Sequence, residues 1–118
     1  MSYVKRFGIV LAALSLVFSV ACTADIAPPP ADAVWIDTRT AEEFAQGHLE
    51  QAALIPYDVI EQGIAALQLS KDAPIYLYCR SGNRAGQAKL ALEAQNYSNV
   101  INVGGLEDAR SLASKQAD

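Results

Sequence analysis

The residues with the clearest chemical potential form one short run, Cys79-Arg80-Ser81-Gly82-Asn83-Arg84. The run follows an apolar segment, Ile75 to Tyr78, and precedes a helix-compatible segment, Ala85 to Gln95. A cysteine between a strand and a helix start can become a thiolate, because loop N–H groups and the positive helix N-terminus stabilise an anion. Arg80 and Arg84 add two cations. The run therefore predicts a reactive thiol with a lowered pKa, in a loop that also binds an anionic substrate.

Strands and helices alternate along the rest of the chain. Apolar runs predict strands at 33–37, 52–55, 75–78 and 100–103. Helical spacing and turn residues predict helices over 40–46, 59–67, 85–95 and 106–113, and Thr40 with Glu43 matches a capping box at the first of them. The alternation predicts a single α/β domain with a mainly parallel central sheet and helices on both faces. Ligands bind such sheets beyond the carboxyl ends of the strands, where Cys79 lies.

The N-terminus has the features of an export signal. Lys5 and Arg6 precede the apolar run Phe7 to Val20, which is shorter than the roughly 20 residues that span a bilayer. We expect a signal peptide over residues 1–21 with cleavage near Ala21 or Ala24, a Pro-rich linker over 22–32 and the folded domain over 33–118. The prediction is a periplasmic protein; the alternative is a lipid anchor at Cys22, whose preceding residues resemble part of a lipoprotein signal.

The net charge of the chain limits the classes of macromolecule that it can bind. The formal net charge is −4 and becomes more negative if Lys5 and Arg6 leave with a signal peptide. An acidic protein is a poor candidate for binding nucleic acid or an anionic membrane surface, so we expect no nucleic acid partner, and no membrane partner unless Cys22 is lipidated.

If Cys22 is removed or lipidated, Cys79 has no disulfide partner within the chain. A lone thiol in an oxidising compartment favours a chemical role for Cys79 over a structural one.

The ordered motifs resemble those of the rhodanese family of sulfurtransferases, and in particular its exported single-domain members. The resemblance rests on Trp35 to Arg39 with Glu43-Phe44, on Gly47 to Ala52 with Ile55-Pro56, on the Cys79 to Arg84 loop, and on Asn102 to Leu106. Gln51 departs from the family pattern, which usually has Gly there, and the chain lacks the aromatic residue often found after the Gly-Gly pair. The match spans roughly residues 33–113.

The resemblance implies sulfur transfer from thiosulfate to cyanide or a thiol through a Cys79 persulfide. It implies Cys79 as the catalytic residue and Arg80, Ser81, Gly82, Asn83 and Arg84 as substrate-binding residues, with no metal and no organic cofactor. We also expect a monomer. Arg80 either attracts thiosulfate or faces solvent, and Arg84 either binds the anion or braces the loop. For His48, Asp37 and Arg39 we expect structural roles, and Tyr76 and Tyr78 should pack in the core.

Two other functions are compatible with the loop. Cysteine phosphatases have five residues between the Cys and the Arg, whereas four separate Cys79 from Arg84 here. The shorter loop favours a sulfur atom on Cys79 over a tetrahedral phosphate. The other alternative is a persulfide carrier or binding module without efficient turnover, which steady-state assays would distinguish from an enzyme.

Overall fold

The computed structural model describes residues 26–117. The predicted signal peptide over residues 1–21, Cys22 and both candidate cleavage sites lie outside the described residues. Within residues 26–117, no helix is long and apolar enough to cross a membrane.

Four parallel strands form one sheet in the order β2-β1-β3-β4. The strands are β1 (Val34–Asp37), β2 (Ala53–Leu54), β3 (Ile75–Cys79) and β4 (Val100–Gly105). All five residues of β3 are buried, because this strand is paired on both edges and covered on both faces. This explains its unbroken apolar sequence. The prediction of an α/β fold with a parallel sheet is confirmed.

Helices cover both faces of the sheet. They are α1 (Ala41–Ala45), α2 (Ile60–Ala66), α3 (Asn83–Ala94) and α4 (Leu106–Ala113), and a 3-10 turn at Tyr57–Val59 leads into α2. One core joins the sheet to α2 and α3 and contains Ile36, Leu77 and Cys79. The other lies on the opposite face, under α4, and contains Trp35, Tyr76 and Tyr78. Successive residues of a strand therefore pack into opposite cores, because their side chains alternate between the two faces of the sheet.

Two element boundaries near Cys79 differ from the sequence prediction. Helix α3 begins at Asn83 rather than Ala85, directly after Gly82, whose φ of +100° ends the loop in a left-handed conformation. Strand β4 extends to Gly105, so the Gly-Gly pair belongs to the strand and not to a turn after it. The pairing slips by one residue where Tyr78 faces Gly104, and this irregularity lets β4 follow β3 as far as Cys79.

The described part of the predicted linker, residues 26–32, contacts the domain. The Pro29 side chain is fully buried, and its carbonyl oxygen accepts a hydrogen bond from the Ala117 amide at 3.2 Å. The Gln116 side-chain amide donates to the Pro30 carbonyl at 3.0 Å. The N-terminal and C-terminal ends of the described chain therefore pack against each other.

Candidate active site

Cys79 is the last residue of β3, and its side chain is only 1% exposed. The loop after it folds back over the sulfur. Its Sγ accepts hydrogen bonds from the Gly82 amide at 2.9 Å and from the Ala85 amide at 3.5 Å. The strand end, the loop and the first turn of α3 thus form one cradle around a single sulfur atom.

The cradle makes the thiol more acidic. Burial alone raises the pKa of Cys79, but the backbone N–H groups of Ala85, Ser81, Gly82 and Arg84 together lower it further than burial raises it. The resulting pKa lies below the ordinary value for a cysteine. The site therefore favours a thiolate over a neutral thiol at Cys79.

Asn102 on β4 holds the loop in place. Its side-chain amide donates to the Gly82 carbonyl at 2.9 Å, and its side-chain oxygen accepts from the Gly104 amide at 3.0 Å. The first bond ties Gly82, the left-handed residue of the loop, to β4, and the second orients the Asn102 side chain within that strand. Sequence reasoning placed Asn102 in a strand and in a family motif but assigned it no role at the site.

Gly105 allows β4 to approach the loop closely. A Cβ atom at this position would lie 2.7 Å from the Arg80 carbonyl oxygen, which is closer than real Cβ contacts come. The Gly105 amide donates to the Asp108 carboxylate at 2.8 Å, which fixes the start of α4 beside the loop. A side chain on Gly105 would therefore displace the backbone that carries the site.

The Arg84 guanidinium is bound by Glu43 of α1. Its two terminal nitrogens donate to the two carboxylate oxygens at 2.7 and 3.0 Å. The bond to Arg84 is the largest effect holding the pKa of Glu43 at about 2, and burial opposes it in part. Glu43 also accepts from the Thr40 amide at 3.1 Å, completing the predicted capping box of α1. Of the two roles that the sequence left open for Arg84, this geometry corresponds to bracing the loop.

The other predicted loop residues lie at the surface. Arg80, Ser81 and Asn83 are exposed, and the Asn83 side-chain oxygen accepts from Gln87 at 3.3 Å. Arg80 borders a cavity of about 230 Å³ between α1 and the start of α4, together with Gly47 and Leu106. Arg80 is therefore the loop cation that a dissolved anion meets first.

A buried network under the loop fixes the strand ends. Arg39 pairs with the fully buried Asp37 at 2.7 Å and donates to the Gly47 carbonyl at 2.7 Å. The Tyr78 hydroxyl donates to Asp37 at 2.8 Å and accepts from the Leu49 amide at 3.0 Å. Burial is the main reason that the pKa of Tyr78 rises to about 12. These contacts agree with the structural roles expected for Asp37 and Arg39.

His48 and the aromatic strand residues take no part in the cradle. The His48 ring stacks on Phe44 with centroids 3.5 Å apart, and its Nδ1 forms a hydrogen bond with the Phe44 carbonyl at 2.9 Å. Tyr76 is buried against Trp35.

Among residues 26–117, no three His, Cys, Asp or Glu side chains are grouped so that they could hold a metal ion.

A thiol of lowered pKa at the carboxyl end of a central parallel strand, in a loop of converging N–H groups, is an arrangement that can support cysteine-based group transfer on an α/β fold. The rhodanese-like domain family matches residues 25–111. The chain belongs to this family.

Named relatives agree with this assignment. The chain is 38% identical over 98 residues to thiosulfate sulfurtransferase PspE of Escherichia coli (strain K12), covering 83% of this chain and 88% of the relative. A solved structure described as a rhodanese with anions from E. coli has a TM-score of 0.62 and 37% identity, covering 64% of this chain and 89% of that one. A rhodanese-like domain protein from Staphylococcus aureus has a TM-score of 0.57 and 32% identity, covering 64% of this chain and 72% of that one. Together with the family match, these relatives support sulfur transfer as the class of reaction.

Proposed function

We propose that this protein is a thiosulfate sulfurtransferase that carries sulfur as a persulfide on Cys79. The observation that carries the proposal is the ring of backbone N–H groups around Sγ, which lowers the thiol pKa despite burial. Family membership supports the reaction class, and the name of the 38% identical relative supports thiosulfate as the donor.

The first step is attack of the Cys79 thiolate on the outer sulfur of thiosulfate. The new Sγ–S bond forms while the S–S bond of thiosulfate breaks, and sulfite leaves with the electron pair. Arg80 attracts the dianion toward the loop, and the N–H groups of Ser81, Gly82, Arg84 and Ala85 stabilise the negative charge on the new outer sulfur. Preorganised donors of this kind are each worth about 2.7–4 kcal/mol in other enzymes.

The second step returns the enzyme to its starting state. A nucleophile, either cyanide or a thiolate, attacks the outer sulfur, and Cys79 leaves as the thiolate that the cradle already stabilises. The low pKa of Cys79 therefore serves twice, since it provides the nucleophile of the first step and the leaving group of the second.

Intact-mass spectrometry tests the half-reaction directly. Wild-type protein treated with thiosulfate should gain the mass of one sulfur atom, and cyanide should remove it. Cys79→Ser is the matched control and should gain nothing. A reduced Cys79 that takes up no sulfur from thiosulfate would refute the proposal. Persulfide formation without steady-state turnover would instead indicate a carrier.

The same spectrum tests the proposal of export. Protein recovered from the periplasm should have lost residues 1–21 or 1–24, whereas lipidation would add acyl mass at Cys22. A full-length mass starting at Met1 in that fraction would refute processing at these sites.

A further inference from the structure

Thr38 is the first residue after β1, and it is fully buried. Its backbone amide and its hydroxyl both donate to the Tyr78 carbonyl oxygen, at 2.9 and 2.8 Å. That carbonyl belongs to the peptide group that joins Tyr78 to Cys79. One residue at the end of the neighbouring strand therefore holds the peptide group before the thiol through two hydrogen bonds.

The Thr38 hydroxyl is not required for pairing the strands. The bond from the Thr38 amide already continues the parallel pairing of β1 with β3, in which Asp37 faces Tyr78. A carbonyl oxygen has two lone pairs, and the hydroxyl donates to the one that the backbone leaves open. Valine would fill nearly the same space without burying a hydroxyl. The hydroxyl thus adds a constraint on the orientation of this peptide group beyond the one that the sheet provides.

The Tyr78 side chain is fixed separately, on the other face of the sheet from the Cys79 side chain. Its hydroxyl donates to Asp37 at 2.8 Å and accepts from the Leu49 amide at 3.0 Å. Tyr78 is therefore held both at its side chain and at its carbonyl, and the backbone that leads into Cys79 has little freedom to rotate.

The Cys79 sulfur depends on accurate placement because its N–H donors lie at unequal distances. The Gly82 amide is 2.9 Å from Sγ, whereas the Ala85 amide is 3.5 Å away. Burial raises the pKa of Cys79, and the Ala85 amide makes the largest of the opposing N–H contributions. A small movement of Sγ away from α3 would therefore weaken the longer bond, which is also the more important one for the thiolate.

We propose that Thr38 is a positioning residue for Cys79, and that its hydroxyl orients the Tyr78–Cys79 peptide group so that Sγ stays within reach of the Ala85 amide. Thr38 acts through the backbone of Cys79 and takes no part in making or breaking bonds. Its effect on turnover rests on the proposed sulfurtransferase function, whereas its effect on the acidity of the thiol does not.

Thr38→Val removes the hydroxyl and keeps the shape of the side chain. We expect the pH midpoint of Cys79 alkylation by iodoacetamide to move upward, and kcat/KM with thiosulfate to fall about fivefold, the loss typical of one hydrogen bond. Thr38→Ser keeps the hydroxyl and should behave like wild type in both measurements. Thr38→Ala compared with Thr38→Ser repeats the test without the methyl group, and this pair decides the question if Thr38→Val does not fold.

Ile75→Val is the control for a loss of stability alone. Ile75 is fully buried at the other end of β3, so removing one methyl group should lower the free energy of unfolding without changing the alkylation midpoint or kcat/KM. Arg84, whose charge interacts with Cys79, is the same in every variant. A wild-type midpoint in Thr38→Val, or an equal shift in Thr38→Ser or Ile75→Val, would overturn the positioning role. If wild type forms no persulfide from thiosulfate, the proposed function fails, and the alkylation midpoints still decide the role of Thr38.

Discussion

Replacing Glu43 by Gln would test the contact that connects the active-site loop to α1. Gln keeps the size of the side chain and one acceptor for the capping box, but it removes the charge that both terminal nitrogens of Arg84 contact at 2.7 and 3.0 Å. The variant should therefore lose the ion pair while keeping the packing between α1 and the loop.

The magnitude follows from the pKa of Glu43. Lowering that pKa from 4.5 to about 2 corresponds to about 3 kcal/mol of stabilisation of the charged form. The two side chains keep 20% and 26% of their surface in water, and solvent screening reduces the net value. We expect Glu43→Gln to lower the free energy of unfolding by about 1–2 kcal/mol at neutral pH.

The lowered pKa of Glu43 also determines how its contribution to the free energy of unfolding depends on pH. Because the folded-state pKa of Glu43 is depressed, its contribution is complete above about pH 4.5 and disappears as the pH falls toward 2. Urea unfolding at pH 7 and pH 3 should therefore show a smaller difference between wild type and Glu43→Gln at the lower pH. Glu42→Gln is the control, since Glu42 lies in the same helical turn without contacting Arg84. Equal losses in the two variants at pH 7 would refute the reasoning.

Three further predictions concern the cradle. Asn102→Ala should destabilise the fold by about 1–2 kcal/mol and raise the pKa of Cys79, because it removes the bond to the Gly82 carbonyl. The pH dependence of Cys79 alkylation by iodoacetamide measures that pKa. An alkylation profile identical to that of wild type would contradict the anchoring role of Asn102. Gly105→Ala should reduce thiosulfate turnover at least tenfold, because its Cβ collides with the Arg80 carbonyl, whereas Gly86→Ala, with 3.4 Å of clearance, should not. The pKa of Cys79 should change little between low and high salt, and a marked rise with salt would point to arginine charges instead.

Local pattern was sufficient to predict the fold. The fully apolar β3 indicated a central parallel strand, and the Thr40 capping box marked the start of α1 correctly. The position of Cys79 at a strand end followed from the same pattern. The pattern did not predict strand ends that are set by neighbouring strands. Strand β4 extends to Gly105, for example, because Gly105 pairs with Cys79 of β3.

The features of the site that could not be predicted from the sequence are contacts between residues far apart in the chain. Glu43 and Arg84 are 41 residues apart, and Asn102 is 20 residues from Gly82. A glutamate in a helix and a polar residue in a strand can have many roles, and nothing near them in the chain selects the one observed. Only the packing of α1, the loop and β4 at one end of the sheet brings these groups together.

The position of Arg84 also changes the explanation for the reactivity of Cys79. The sequence suggested that helix, loop and two arginines would act together on the thiol. In the folded protein the Arg84 charge is paired with Glu43, and the lowering of the pKa of Cys79 comes mainly from backbone N–H groups that overcome burial, with a smaller charge interaction between Arg84 and Cys79. These dipoles are fixed by the fold, so in the reaction we propose they need no rearrangement when the negative charge moves from Sγ to the outer sulfur of the Cys79 persulfide. The contact with Glu43 therefore fixes Arg84 at the start of α3 and braces the loop that forms the cradle.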